Sequence, residues 1–485
     1  MKGKKIAKTL TILTHEERFR LVKFVKGEVS GKETELVRLM ELAAKKNALL
    51  WEDPKVWKAL YGNRPFDQQK YNHNCSRLLA LISPFLPILQ FLRDENRVEL
   101  ARLQIFNHRE TFSEFERLCS DFSKSYSNKH YSTPEDQFLD FQIQLEKHHY
   151  LVSNPHIQFQ GNLNPVTQSF DRYWVIQKFQ LACYNSVHNK VTGESIHDPL
   201  LLQVQQMVDE DANLCQVPVI HFYQVLYKII ESDSLVGTDH FIDLIRDNKD
   251  HLPFEMVKGA FDLLVNYLVR CLNMDGHNPK IQNIFHKIYN WGFSDGWVYL
   301  NGKIRPGHFK NRALLFIRME KYEETKQFVE TYQDKLDDSI RADLVEFVDI
   351  YLCLRQNKLE GVEGRINAVK LDNPFYKISL KILRIEVRYE NYWNNPDDYY
   401  NSGTVTYLKY LIGEIKNIIT LISKIKMISD YHKTSYYHRL HYMTKLINAE
   451  NYPEKLELLK QEVQNVRLDD SSWILKQIDK RLEGK

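Results

Sequence analysis

No pair of cysteines in this chain stands two residues apart: Cys75, Cys119, Cys183, Cys215, Cys271 and Cys353 are scattered over its length. That spacing excludes a zinc knuckle and a redox dithiol, and the six are expected to be reduced, buried thiols of a cytoplasmic protein. Glycine and proline are also scarce, at 18 and 15 in 485 residues, too few for a loop-rich β-sandwich of this length. Charge of one sign is missing as well. The 66 Lys and Arg against 63 Asp and Glu leave a net charge of +3, so no global field draws the chain to nucleic acid or anionic lipid. The N-terminal "MKGKKIAKTLTILTHEER" is interrupted by Lys8 and two threonines, and is not expected to act as an export signal. The most apolar run, "LLALISPFLPILQFL" (Leu78 to Leu92), holds Pro84 and Pro87 and falls short of the roughly 20 residues of a bilayer span. It reads as core or groove, and no membrane partner is expected.

Signatures of chemistry are absent too. There is no G-x-G-x-x-G, no G-x-x-x-x-G-K-[ST], no H-E-x-x-H and no G-x-S-x-G. "HRLH" (His438 to His441) puts two imidazoles on one helical face, and "KHHY" (Lys147 to Tyr150) holds another pair, but neither has Asp, Glu or Cys at ligand spacing. "DEDAN" (Asp209 to Asn213) lacks the glycine and distal glutamate of a calcium loop and reads as a solvated helix end. The sequence therefore nominates no catalytic, cofactor-binding or metal-ligating residue. It points to a protein that is not an enzyme.

What is present is helical periodicity nearly everywhere. "THEERFRLVKFV" has Thr14 at a cap position and Glu17 at the capping-box position, followed by Phe19, Val22 and Val25. A further helix is predicted from about Asp67, its cap, to Ile82. Only "WGFSDGWVYLNGKIRPG" (Trp291 to Gly307) is rich enough in glycine and aromatics to suggest a local hairpin.

The chain also repeats itself. At an offset of 37 residues (322 to 359), Tyr322, Thr325, Val329 and Tyr332 answer Leu359, Val362, Ile366 and Val369, and the hexapeptide ending in Arg318 falls on the one ending in Arg355. A third copy begins after Pro374 and degenerates at "YWNNPDDYY". Steps of three, four and three mark one helix face, so a period of this length predicts paired helices that must stack on their neighbours. "NKLEGVEGRINAVKLDNP" resembles a tetratricopeptide repeat, with Leu359, Val362, Ile366 and Pro374 at that family's tyrosine, alanine, aromatic and proline positions. It departs from it at Thr325, Ile350 and Val362, where the consensus wants Gly or Ala. Across its length the chain is similar to a family of helical-repeat proteins common in Bacteroidota, in "HEERFRLVKFV", "HFKNRALLFIRMEKYEETKQFVETYQDKL" and "SSWILKQIDKRL". That resemblance implies architecture and brings no assigned activity.

The expected fold is all-α: a tetratricopeptide-like α-solenoid with an N-terminal helical region (1–130), central helical repeats (131–300), tetratricopeptide-like repeats (301–400) and C-terminal capping helices around Trp473 (401–485). The expected function is a cytoplasmic scaffold that binds a protein or peptide partner and carries no cofactor. Of the 27 Tyr, 25 Phe and 7 Trp, most should be core. Tyr389, Tyr392, Trp393, Tyr399 and Tyr400, clustered where the repeat breaks down, are the candidate partner-binding anchors. The alternative is a nucleic-acid-associated regulator using the N-terminal helices or the Lys/Tyr-rich stretch from Tyr407 to Lys445. There Leu411, Ile415, Ile418, Ile419, Ile422, Ile425 and Ile428 form an apolar stripe that makes the lysines the wet face of a packed helix.

Overall fold

The computed structural model describes residues 2–29, 34–45, 53–127, 133–154, 163–192, 194–232, 235–274, 278–395, 404–426, 428, 430–450, 452–465 and 471–483. Among them the fold is all-α, with 24 α-helices and one two-stranded antiparallel ribbon, Tyr299–Leu300 against Lys303–Ile304. The ribbon lies where the glycine- and aromatic-rich stretch predicts a hairpin. Contacts divide the chain into two compact units, one of residues 1–126 and 139–166, the other of 127–138 and 167–485.

In the first unit, Thr14 caps the His15–Glu28 helix: Glu17 N donates to Thr14 Oγ1 at 3.3 Å, and Thr14 N donates to Glu17 Oε2 at 2.7 Å. Asp67 caps the next predicted helix, accepting from Lys70 N at 2.9 Å. That helix does not stop at Ile82. It runs from Gln68 to Arg93 through both prolines. Tyr71, Cys75, Leu78, Ile82, Phe85 and Leu89 make an unbroken buried stripe, while Pro84 and Pro87 lie on the exposed side. Carbonyls freed by a proline there can turn to solvent, and burial of the opposite face outweighs the lost hydrogen bonds. The helix is therefore long and apolar enough to cross a membrane, which the predicted break had denied it, although its apolar stripe packs into its own unit's core.

The second unit holds two cores. The larger extends from Val175 to Val387 and crosses residue 300 without a break. The smaller gathers Ile378, Ile382, Ile385 and Tyr389 with the Thr404–Lys424, Asp430–Ala449, Pro453–Asn465 and Ser471–Glu483 helices. The Pro374–Asn394 helix serves both, turning Leu380, Leu383 and Val387 toward the first and the stripe from Ile378 to Tyr389 toward the second. Along this region most helices touch the next, and several the next but one: Pro306–Arg318 packs on Tyr322–Tyr332 and on Arg341–Arg355, which in turn meets Val362–Ala368 and Pro374–Asn394. The copied face is the packing face. Thr325, Leu359, Val362 and Ile366 are buried, and Tyr322, Val329, Tyr332 and Val369 are partly buried against the same core. In the Thr404–Lys424 helix, Leu411, Ile415, Ile418 and Ile422 are buried while Lys409, Lys416 and Lys424 are exposed, as a packed amphipathic helix requires.

One close approach depends on the absence of a side chain. Gly292, in the Pro279–Ser294 helix, is buried, and a Cβ there would stand 2.5 Å from Phe261 Cζ. Phe261 is itself wedged against Tyr289 and Trp297, so its ring has little room to retreat. Gly292→Ala is expected to destabilise the second unit by about 1–3 kcal/mol through overpacking, despite alanine's better helix propensity. A thermal midpoint equal to or above that of the parent protein would contradict this.

Candidate functional site

A cleft of about 890 Å³ opens in the second unit. Alternate helices build its walls. Pro306–Arg318 contributes Lys310, Leu314 and Arg318 at four-residue steps, one face of a helix. Arg341–Arg355 contributes Leu344, Phe347, Tyr351 and Arg355, Pro374–Asn394 adds Phe375 and Tyr376, and Asp430–Ala449 adds His432, Tyr436 and Arg439. The lining is thus apolar and aromatic with a few polar groups, the composition of a ligand site.

Its charge is lopsided. Lys310, Arg318, Arg355, Lys370 and Arg439 line the cleft, with Asp372 the only carboxylate among the described lining residues. Asp372 is fully exposed and pairs with Lys377 at 3.2 Å. Behind the wall, Glu386 is inaccessible to solvent; it is bonded by Arg439 and stands 3.7 Å from Arg355. Arg318 donates to Leu272 O at 3.2 Å and Asn273 Oδ1 at 3.3 Å, at the C-terminal end of the Phe254–Met274 helix, where a cation is favoured.

Lys310 differs from these. Among the described residues no carboxylate pairs with it. Its Nζ lies 5.6 Å from the centre of the Tyr376 ring, a cation–π contact. Burial, with a smaller contribution from the Arg318 charge, pushes its ammonium down to about 8. The same surroundings push the Tyr376 hydroxyl up to about 12 by burial.

The aromatic candidates lie elsewhere. Tyr389 is 0% and Tyr392 4% exposed, so both are core side chains and not exposed anchors. The repeat fades there, yet helices later in the chain close over them: Tyr389 packs edge-on against Trp473 at 5.7 Å, and Tyr392 stacks on Tyr407 at 5.7 Å. Trp393 is partly buried and lines a second cleft of about 590 Å³ with Glu390, Glu450, Gln477 and Arg481. The Arg481 guanidinium lies 4.1 Å from the Trp393 ring centre and 4.6 Å from that of Tyr389. Tyr399 and Tyr400 lie outside the described residues.

Reading the sequence alone missed Lys310, Tyr376 and Arg439. One signal pointed to the cleft: the 37-residue offset superposes Arg318 on Arg355, and both line it. Among the other nominated groups, His438 and His441 are exposed, and no cluster of three or more His, Cys, Asp or Glu that could hold a metal occurs among the described residues. Asp211 of "DEDAN" caps the short Ala212–Cys215 helix, accepting from Asn213 N at 2.8 Å. The expectation of six buried thiols holds for Cys75, Cys183 and Cys271; Cys119 and Cys353 are partly buried, and Cys215, at the end of that four-residue helix, is exposed. Compared with protein-family models, with curated proteins and with solved structures, the chain matches none of them.

Proposed function

We propose that this protein is a non-catalytic interaction scaffold: a tetratricopeptide-like stack of helical hairpins that holds a segment of a protein partner in the cleft between alternate helices. One observation carries the reading, a cleft of about 890 Å³ lined by side chains of alternate helices, several of them aromatic, with Arg318 and Arg355 at positions related by the 37-residue offset. Helical-repeat stacks use such continuous surfaces for extended partners. The copied apolar face supports the same reading, since Leu359 and Ile366 are buried against neighbouring modules and not in water. The similarity to helical-repeat proteins of Bacteroidota, and a cytoplasmic setting, belong to this proposal.

A photo-crosslinking residue at Leu314, partly buried in the cleft, tests it against the same residue at Leu202, exposed elsewhere on the unit. In living cells, a discrete protein adduct is expected from position 314 and not from 202, and Leu314→Glu should weaken binding of the purified partner at least tenfold. Equal adducts at both positions, an adduct to nucleic acid in place of protein, or turnover of a metabolite by the purified protein would overturn the proposal.

A further inference from the structure

The charges around the cleft specify what should fill it. Lys310 is contributed by the Pro306–Arg318 helix, which also carries Arg318. Facing it are Tyr351 and Arg355 from Arg341–Arg355, Lys370 and Asp372 from the segment before Pro374, Tyr376 from Pro374–Asn394, and His432, Tyr436 and Arg439 from Asp430–Ala449. Arg355 and Arg439 share Glu386, and Arg318 is held by backbone and amide oxygens. Among the described residues, Lys310 has the face of Tyr376 and the repulsion of Arg318.

A partly buried ammonium with no paired carboxylate among the described residues costs stability, and an apolar side chain of similar volume in its place would relieve that cost. A cation that weakens its own fold, sited in a large cleft, fits a position whose partner arrives from outside. The aromatic walls supply contact area for an extended chain, and the Arg318 guanidinium, with five N–H donors, can take further acceptors beside Leu272 O and Asn273 Oδ1.

Resting on the scaffold reading, we infer that the occupant of the cleft is an acidic segment of a partner protein, and that one of its carboxylates seats on Lys310. Binding is then coupled to a proton. In the empty cleft the amine loses its proton near pH 8, whereas a carboxylate beside it restores the ammonium to its ordinary alkaline range, so at pH above 8 the segment must bring a proton in with it. Affinity should fall as pH rises from 7.5 to 9.5. Tyr376, pushed up to about 12, remains neutral over that range.

The test uses the full chain and fluorescein-labelled octapeptides alternating Asp or Glu with Leu and Tyr, beside the same peptides with Asn and Gln in place of the acids. Acidic peptides are expected to bind at least tenfold more tightly than their amide counterparts, and their affinity to drop roughly tenfold or more between pH 7.5 and 9.5. Lys310→Met should reduce the preference severalfold, leaving what the neighbouring cations supply, and abolish the pH dependence, with Tm no lower than that of the parent protein, which separates lost binding from lost folding. Lys310→Arg, which keeps a charge that does not titrate here, should retain the preference and lose the pH dependence. Equal binding of acidic and amide peptides, unchanged binding by Lys310→Met, or binding only of inorganic phosphate, a phosphopeptide or a single-stranded oligonucleotide would overturn the inference. The scaffold reading stands or falls separately, on the adduct at position 314.

Discussion

Arg439→Met is expected to destabilise the second unit by about 3 kcal/mol, more than any surface change. Glu386 is 0% exposed, in the middle of the helix that joins the two cores of that unit. Its carboxylate is held by Arg439 from the Asp430–Ala449 helix, and Arg355 stands at 3.7 Å on the other side. Removing one partner of a buried pair strands a charge in a low-dielectric interior, typically at a cost of about 3–5 kcal/mol. Arg355 offsets part of that loss, which places the expectation at the low end. Glu386→Leu combined with Arg439→Met removes both charges and should recover most of the stability. The two substitutions should therefore be strongly non-additive in a denaturant double-mutant cycle. Losses that simply add would show that Glu386 draws its stabilisation from Arg355 and not from Arg439.

Local rules and the repeat were the legible parts of this sequence. The capping box at Thr14 and Glu17, the cap at Asp67, the ribbon between Trp291 and Gly307 and the apolar stripe of the Thr404–Lys424 helix depend on residues within a few positions of one another. The repeated face was legible for a related reason, since an offset of 37 carries Arg318 onto Arg355 whatever the rest of the fold does. Tertiary override defeated the rest. Pro84 and Pro87 signal a break, but a buried stripe from Tyr71 to Leu89 carries the helix past them. Tyr389 and Tyr392 sit where the repeat fades, and helices later in the chain bury them, through Tyr407, Glu450 and Trp473. The charge character of the cleft was hidden likewise, because Lys310, Tyr376 and Arg439 come from three helices and no spacing rule links them.

Trp473→Ala is expected to cost about 4 kcal/mol and to loosen the smaller core first. The tryptophan is almost fully buried, edge-on to Tyr389 at 5.7 Å, and its Nε1 donates to Glu390 Oε1 at 2.7 Å. Truncation leaves a cavity and strips the buried Glu390 carboxylate of a donor, leaving it Lys480 at 3.5 Å. Trp473→Phe separates the two effects: it retains most of the packing and loses the donor, for an expected loss of about 1–2 kcal/mol. Because, among the described residues, the two cores share the Pro374–Asn394 helix alone, the loss should be local. Amide exchange in the alanine variant should accelerate in Thr404–Lys424, Asp430–Ala449 and Ser471–Glu483 before it does in Pro306–Arg318 or Arg341–Arg355. Simultaneous acceleration in all five helices would mean that the shared helix couples the cores into one cooperative unit. In that case a partner seated between Lys310 and Arg439, which stand on helices of different cores, would stabilise both together.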